Sequence, residues 1–520
     1  MHVSRFEWIP SSLLWLCLLL PGCGADATPP RAAEESEVVV TSEPAVSEAP
    51  TEAQQQPQAP QVKGEKTKTE SDPGKASGEP QTTSPMQNAE QKVYRPSDQR
   101  PLHNNQRLEL LGIQCYESPH LKLYTDIDPE QAKKLPAVLE QAYPALQKYF
   151  GPLPPNREGT EFQVTGYIMQ DRERFEKADL IPGLLAQIIN GRHQGAQFWM
   201  NAQTEEYYRK HLMLHEYTHC YSMIMEDISA PVWYLEGIAE SMATHHVDAD
   251  GKIQFNVMPH NKNDFGGLGR ISLIQDAVKS APPKTMLEVM QLGPDDFVDA
   301  NASYAWSWAL SQFFDKHPQY QAEFRKLARH MQGPGFTEKI KAMIGPDLIA
   351  ANDAWLLFVR NLQPGYDSKR AMITFQPGKD LATDASVTQE ITSDRGWQSS
   401  GVHVTRGETY AVSASGMFTL AQKPKPWQST ADGITFQYFN GQPLGRLLMM
   451  IRPDPGNDPT RIQTLLRVYP QGSQATWMAP ATGTLYFRLN DAWDSLDNNE
   501  GAVQVTVTRQ PQPQSTTARQ

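Results

Sequence analysis

The most constraining feature of this 520-residue chain is the run His215-Glu216-Tyr217-Thr218-His219, followed after sixteen intervening residues (220 to 235) by Glu236-Gly237-Ile238-Ala239-Glu240. Around the first run Leu212, Met213, Tyr217, Cys220, Met223 and Ile224 recur at helical spacing, so Glu205 to Met225 is expected to be one long helix. Residues i and i+4 of a helix lie one turn apart on the same face. His215 and His219 can therefore reach a single metal ion, with Glu216 beside it. A second helix, Trp233 to His245, begins behind Pro231, and the intervening segment is long enough to turn it back antiparallel to the first. That return brings Glu236 to the same point.

Imidazole and carboxylate ligands suit Zn²⁺, and a catalytic zinc site has three protein ligands and one open position. His215, His219 and Glu236 are the candidate ligands. Glu240, one turn beyond Glu236, is placed to accept a hydrogen bond from the free ring nitrogen of a ligand histidine and so fix its tautomer. Zinc makes hydroxide available near neutral pH. With Glu216 taking the water proton and returning it to a leaving amine, the expected reaction is peptide-bond hydrolysis without a covalent intermediate. The bland alternative is a core helix with two satisfied histidines.

The pattern H-E-x-x-H followed by W-x-x-E-G-x-A-E, here Trp233 to Glu240, resembles the gluzincin metallopeptidases, particularly the peptidase MA-like families of exported bacterial proteins. The resemblance covers roughly 110 to 365, and its central third carries the matched motifs. It implies Glu236 as third zinc ligand. It also implies a Tyr or His further on that donates to the developing oxyanion. The stretch Ala302 to Ala309 is the nearest match, with Tyr304 as candidate donor, although aromatic residues at helical spacing also build cores.

Organisation outside the motifs is read from composition. An apolar run, Leu13 to Leu20, follows Arg5 and is shorter than the roughly 20 residues needed to span a bilayer. With Leu20-Pro21-Gly22-Cys23 it resembles a lipoprotein signal over residues 1–23, which implies export and a membrane anchor at Cys23; plain secretion after cleavage is the alternative. Residues 24–100 are rich in Pro, Glu, Gln and Thr and cannot bury a core, so they are expected to be a disordered linker. Residues 105–370 are expected to form a helix-rich α+β metallopeptidase domain, with a strand at His120 to Tyr124, a helix from Pro129 to Phe150, a strand at Phe162 to Met169 and two helices within Ala302 to Met331. A formal net charge of -12 and the lack of any Lys/Arg block exclude nucleic acid as a partner. Beyond the signal only Cys115 and Cys220 remain, either as one disulfide or as two free thiols.

From 380 to 510 the pattern switches to period-two strands divided by turn residues, as in Val402 to Val404, Thr409 to Ala414 and Gly483 to Leu489. In order and spacing, Gly407 to Gly416, Gly433-Ile434, Pro443 to Leu447, Ala479-Pro480 and Asn490-Asp491 resemble the PA-IL-like galactophilic lectin domain, and Asn490 to Gly501 matches its calcium loop without a gap. The resemblance implies a jelly-roll-like β-sandwich and a glycan partner. It also implies Ca²⁺ held by side-chain oxygens of Asp491, Asn498 and Asn499 and by backbone carbonyls of Ser495 and near Leu420. Ser429 and Asp432 stand where the lectin grips galactose with a His and a Gln. Without the resemblance, the Asp/Asn/Gly cluster reads as a polar turn.

Two functions follow. One is an exported zinc peptidase acting on a protein or peptide substrate, aimed by its C-terminal module. The other is a carbohydrate-binding surface lipoprotein with an inactive peptidase scaffold. Glu216, kept between its two histidines, favours the first.

Overall fold

In the computed structural model, residues 100–156, 159–183, 188, 190–224, 227–260, 269–298 and 301–511 are described. The expected signal, Cys23 and all but the last residue of the expected linker lie outside them. The described chain is α+β, with helices and a mixed sheet first and mostly antiparallel strands after them.

The first sheet takes strands β1 (Gln114–Glu117), β2 (Leu121–Thr125), β3 (Val164–Met169), β4 (Gly191–Gln194) and β5 (Gln197–Asn201) in the order β1-β2-β3-β5-β4. The three central strands run parallel and the two outer ones antiparallel to their neighbours. Strand β3 is buried along its whole length because both faces of the sheet are covered. Leu121, Leu123, Val164, Ile168, Phe198 and Met200 meet the main helical core, while Tyr124, Tyr167, Met169 and Trp199 meet a second layer closed by Leu108 and Phe175. Strands β4 and β5 form a hairpin through Gly195, whose φ of +55° suits the two-residue turn. This leaves β4 as the sheet edge.

The principal helices are α1 (Leu135–Phe150), α2 (Glu206–Ser222), α3 (Val232–Ala243), α4 (Arg270–Ser280), α5 (Asn301–Lys316) and α6 (Leu348–Asn361). Helix α2 contains no Gly or Pro and is buried from His211 to Tyr221, so its polar residues sit inside the protein rather than on a wet face. Helix α3 packs between α2 and α5. Gly237 allows that approach, because a Cβ there would collide with the Ser307 carbonyl and the Ser311 hydroxyl. The helix expected over 129–150 is broken at Lys133-Lys134 into a four-residue turn of helix and α1.

The C-terminal part has two facing sheets. Strands β7 (Gln398–Val404), β9 (Leu447–Pro453) and β10 (Gly483–Leu489) form the centre of one; β6 (Ser386–Thr392), β8 (Thr409–Ser415) and β11 (Glu500–Arg509) form the centre of the other. Between the sheets lie Val402, Leu447, Met449, Ile451, Leu485, Phe487, Val503, Val505 and Val507. The alternate residues Leu448, Met450 and Tyr486 point the other way and join the helical core. This double covering explains the unbroken apolar run Leu447 to Ile451. Asp353 of α6, fully buried, accepts from Arg461 at 2.7 and 2.6 Å and from Arg452 at 3.0 Å, which ties the helical part to the sandwich. Cys115 and Cys220 are free thiols, and the Cys220 Sγ donates to the Gln197 carbonyl at 3.3 Å.

Candidate metal centre

The α2 helix places His215 and His219 one turn apart, and α3, returning across it, adds Glu236. The His219 Nε2 lies 3.1 Å from His215 Nε2, and each lies 3.3 Å from Glu236 Oε2. All three side chains are less than a tenth exposed. Among the described residues this is the group of His, Cys, Asp and Glu side chains whose donor atoms converge closely enough to hold a metal ion.

Glu240 orients this group. Its Oε1 is 3.2 Å from His215 Nδ1, and its Oε2 is 3.1 Å from His211 Nε2. The guanidinium of Arg270 donates to both oxygens at 2.7 Å. A carboxylate beside Nδ1 holds a proton on that nitrogen, so Nε2 is the atom that turns to His219 and Glu236 and would offer its lone pair to a cation. Burial works against the Glu240 carboxylate, but Arg270 and His211 together hold it well below the usual carboxylate range. Burial likewise opposes charge on Glu236, yet the two imidazoles draw its pKa down. His215 is raised despite its burial, because the Glu236 and Glu240 carboxylates outweigh desolvation, whereas burial lowers His219 and His211. Two imidazole nitrogens and a carboxylate oxygen therefore converge on one point, and once the protons they share are released that set fits a cation of zinc's type.

Glu216 lies one residue on from His215 with its carboxylate against β4. A Cβ on Gly191 would collide with its Oε1 and come within 2.9 Å of its Cδ, so this position of the edge strand has to be glycine for Glu216 to keep its rotamer. His193, two residues along β4, stacks on His219 with ring centroids 4.5 Å apart and puts Nδ1 3.7 Å from Glu216 Oε2. Neither Gly191 nor His193 is among the residues that the sequence motifs single out. The nearest signal is Gly195, the turn glycine of their hairpin.

Tyr304 of α5 sits with its ring centroid 6.2 Å from that of His215, under the Arg270 guanidinium at 5.7 Å and edge-on to Phe297 at 5.0 Å. It is thus at the centre and also part of a small apolar cluster with Phe297. His245, two residues beyond α3, donates from Nδ1 to the Ala243 carbonyl at 2.8 Å, and burial pushes its pKa down to about 4.

In the sandwich the expected calcium residues come together only in part. The Asn499 amide donates to Asp491 Oδ2 at 2.9 Å and to the Ser393 carbonyl at 3.1 Å, while its own Oδ1 is buried with no hydrogen-bond partner among the described residues. Burial raises the Asp491 carboxyl. Ser495 is half-buried at the start of a short 3-10 turn, and Asn498 at the end of that turn is exposed. Asp432 accepts from the Ser473 amide at 2.7 Å, so its carboxylate is already engaged by the protein itself.

No family model matches the chain. A search of curated proteins finds no match either. Among solved structures, the chain has a weak likeness to the EclA N-terminal domain, a PllA-like lectin, with 21% identity over 24% of this chain and 96% of that one and a TM-score of 0.18. A periplasmic inhibitor of g-type lysozyme, PliG from Aeromonas hydrophila, is 14% identical over 24% of this chain and 85% of its own, with a TM-score of 0.14. IMPa from Pseudomonas aeruginosa, solved with an O-glycopeptide, is 12% identical over 50% of this chain and 26% of its own, with a TM-score of 0.13. TM-scores this low support no argument about the function of the chain.

Proposed function

We propose that the chain is a zinc-dependent peptidase of gluzincin type that hydrolyses peptide bonds outside the cytoplasm. The observation that carries this reading is the convergence of the donor atoms of His215, His219 and Glu236 on one point, with a carboxylate, Glu216, beside them. His215, His219 and Glu236 would hold the ion. When bound, a zinc ion supplies Lewis acidity that polarises a carbonyl and makes water a stronger acid. Glu216 accepts the water proton and passes it to the leaving nitrogen. Glu240, clamped by Arg270, keeps the His215 proton on Nδ1 and the ring in place. Tyr304 is the proposed oxyanion donor, held near the centre by Arg270 and Phe297.

The sandwich is the proposed docking module. The buried, unpartnered Asn499 Oδ1 next to Asp491 supports a calcium site there, with Ser495 and Asn498 on the adjoining turn, and through it contact with a glycan. Delivery by a lipid anchor at Cys23 completes the proposal.

The test is elemental analysis of the purified chain together with hydrolysis of a casein-like substrate. The expected result is one zinc per chain, retained in Glu216→Gln and weakened in Glu236→Ala, with activity cut to a small remainder in both. A metal-loaded protein that holds no zinc would sink the peptidase reading and leave the sandwich as the seat of function.

A further inference from the structure

The proposed hydrolysis turns on Glu216, yet nothing on its own helix orients that carboxylate. It is 5% exposed and accepts no hydrogen bond among the described residues, and its ion-pairing neighbour is His193. A general base left to rotate would spend much of its time aimed away from the water it must deprotonate, and small errors of aim are costly to catalysis.

Edge strand β4 supplies the missing constraint through its period. Side chains two apart on a strand share a face, so Gly191 and His193 both turn towards α2. On α2 the facing residues are Glu216 and His219, three apart and hence neighbours on that side of the helix. Gly191, lacking a Cβ, makes room for the Glu216 carboxylate. His193 then fills the next space: its ring lies nearly parallel to that of His219, with an interplanar angle of 19°, and its Nδ1 reaches towards Glu216 Oε2 at 3.7 Å. A quarter of the His193 side chain is exposed.

We propose that His193 is a positioning residue for this reaction, which rests on the reading of Glu216 as general base. Its Nδ1–H directs one carboxylate oxygen of Glu216, so that the other faces the water, and its ring restrains that of His219. A neutral imidazole is sufficient, since only the N–H and the ring plane are used. The 3.7 Å separation closes to hydrogen-bonding distance by a small side-chain adjustment, as contacts of this kind do when substrate binds.

The experiment uses the full zinc-loaded chain with His193→Phe, which keeps a stacking ring but has no N–H, and His193→Asn, whose amide N–H stands near the place of Nδ1. Zinc content is expected to stay at one per chain in both. In His193→Phe, kcat falls by about 10- to 100-fold while KM changes by less than about 2-fold, and His193→Asn recovers most of the loss. In a Glu216→Gln background His193→Phe adds nothing further. A readout free of turnover is the visible absorption of the cobalt(II)-substituted protein, where His193→Phe and Glu216→Gln are expected to shift the bands alike. An unchanged kcat and spectrum in His193→Phe, or its full effect persisting in the Glu216→Gln background, overturns the proposal. If the unaltered protein binds metal but cleaves nothing, the peptidase reading fails by itself, and the cobalt spectra still decide whether His193 acts on Glu216.

Discussion

The helical part and its junction with the sandwich each bury a polar cluster, and the two differ in what they leave unmatched. At the junction the charges of Asp353, Arg461, Arg452 and Arg488 each have an opposite or aromatic partner. Asp353 takes both guanidinium nitrogens of Arg461 and one of Arg452, and Arg488 lies 3.5 Å from the ring centre of Trp493. In the candidate metal centre the outer groups are just as well matched, with Arg270 and His211 on Glu240, but the inner three ligating atoms are turned on one another with nothing else between them to match among the described residues. A buried cluster complete in itself holds structure together, whereas one whose lone pairs converge calls for a cation. Glu216 belongs with the second kind.

The hardest blow to this comparison would come from Glu216. Glu216→Gln should lower turnover by about 10²- to 10⁴-fold while zinc content and melting temperature stay as they were; a fall in stability instead would make Glu216 a structural residue like Asp353. Asp353→Ala should do the opposite. By stranding two arginines it costs about 3–5 kcal/mol, seen as a lower melting temperature, while activity per folded molecule and zinc content remain. Glu240→Ala tests whether the outer groups of the centre serve the metal, and a zinc affinity about 10- to 100-fold weaker in competition with a chelator is expected.

Protonation sharpens the contrast on the structural side. His317 donates from Nε2 to the Ile373 carbonyl at 3.0 Å, and burial pushes its pKa from 6.5 down to about 4. The unfolded chain therefore binds the extra proton between about pH 4 and 6.5, so stability is greatest above that window and falls as pH drops through it. The loss, roughly 2.5 kcal/mol by pH 4.5, should appear as a lower melting temperature and should largely vanish in His317→Gln, which keeps an N–H near the position of Nε2. The smallest effect concerns the loop at Asp491. Calcium at ten times its Kd should stabilise the chain by about 1.4 kcal/mol, and Asp491→Ala should abolish that gain; the same gain in the variant would return the loop to the merely structural kind.

Much of the centre is legible in the sequence. His215 and His219 are one helical turn apart by number alone, Glu240 is one turn beyond Glu236, and the apolar spacing around them marks both helices. The β4–β5 hairpin is not legible in the same way, because two strands of four and five residues carry too little periodicity to stand out. With it are hidden Gly191 and His193, whose importance lies in what they touch across the fold. In the sandwich, the alternation of Val402 to Val404 and Gly483 to Leu489 is plain, but the second face of Leu447 to Ile451 is not, since a doubly buried strand has no polar side to reveal it.

By itself, then, the sequence determined which residue types could bind a metal and that two helices must present them, because both follow from spacing within a single helix period. Only the tertiary structure decided that the three candidate ligands converge at 3.1–3.3 Å, that Gly237 lets α3 close on α5 and so sets Tyr304 beside His215, and that His193 faces Glu216. Those are contacts between segments far apart in the chain. They are set by how whole elements pack, and no local pattern encodes that distance.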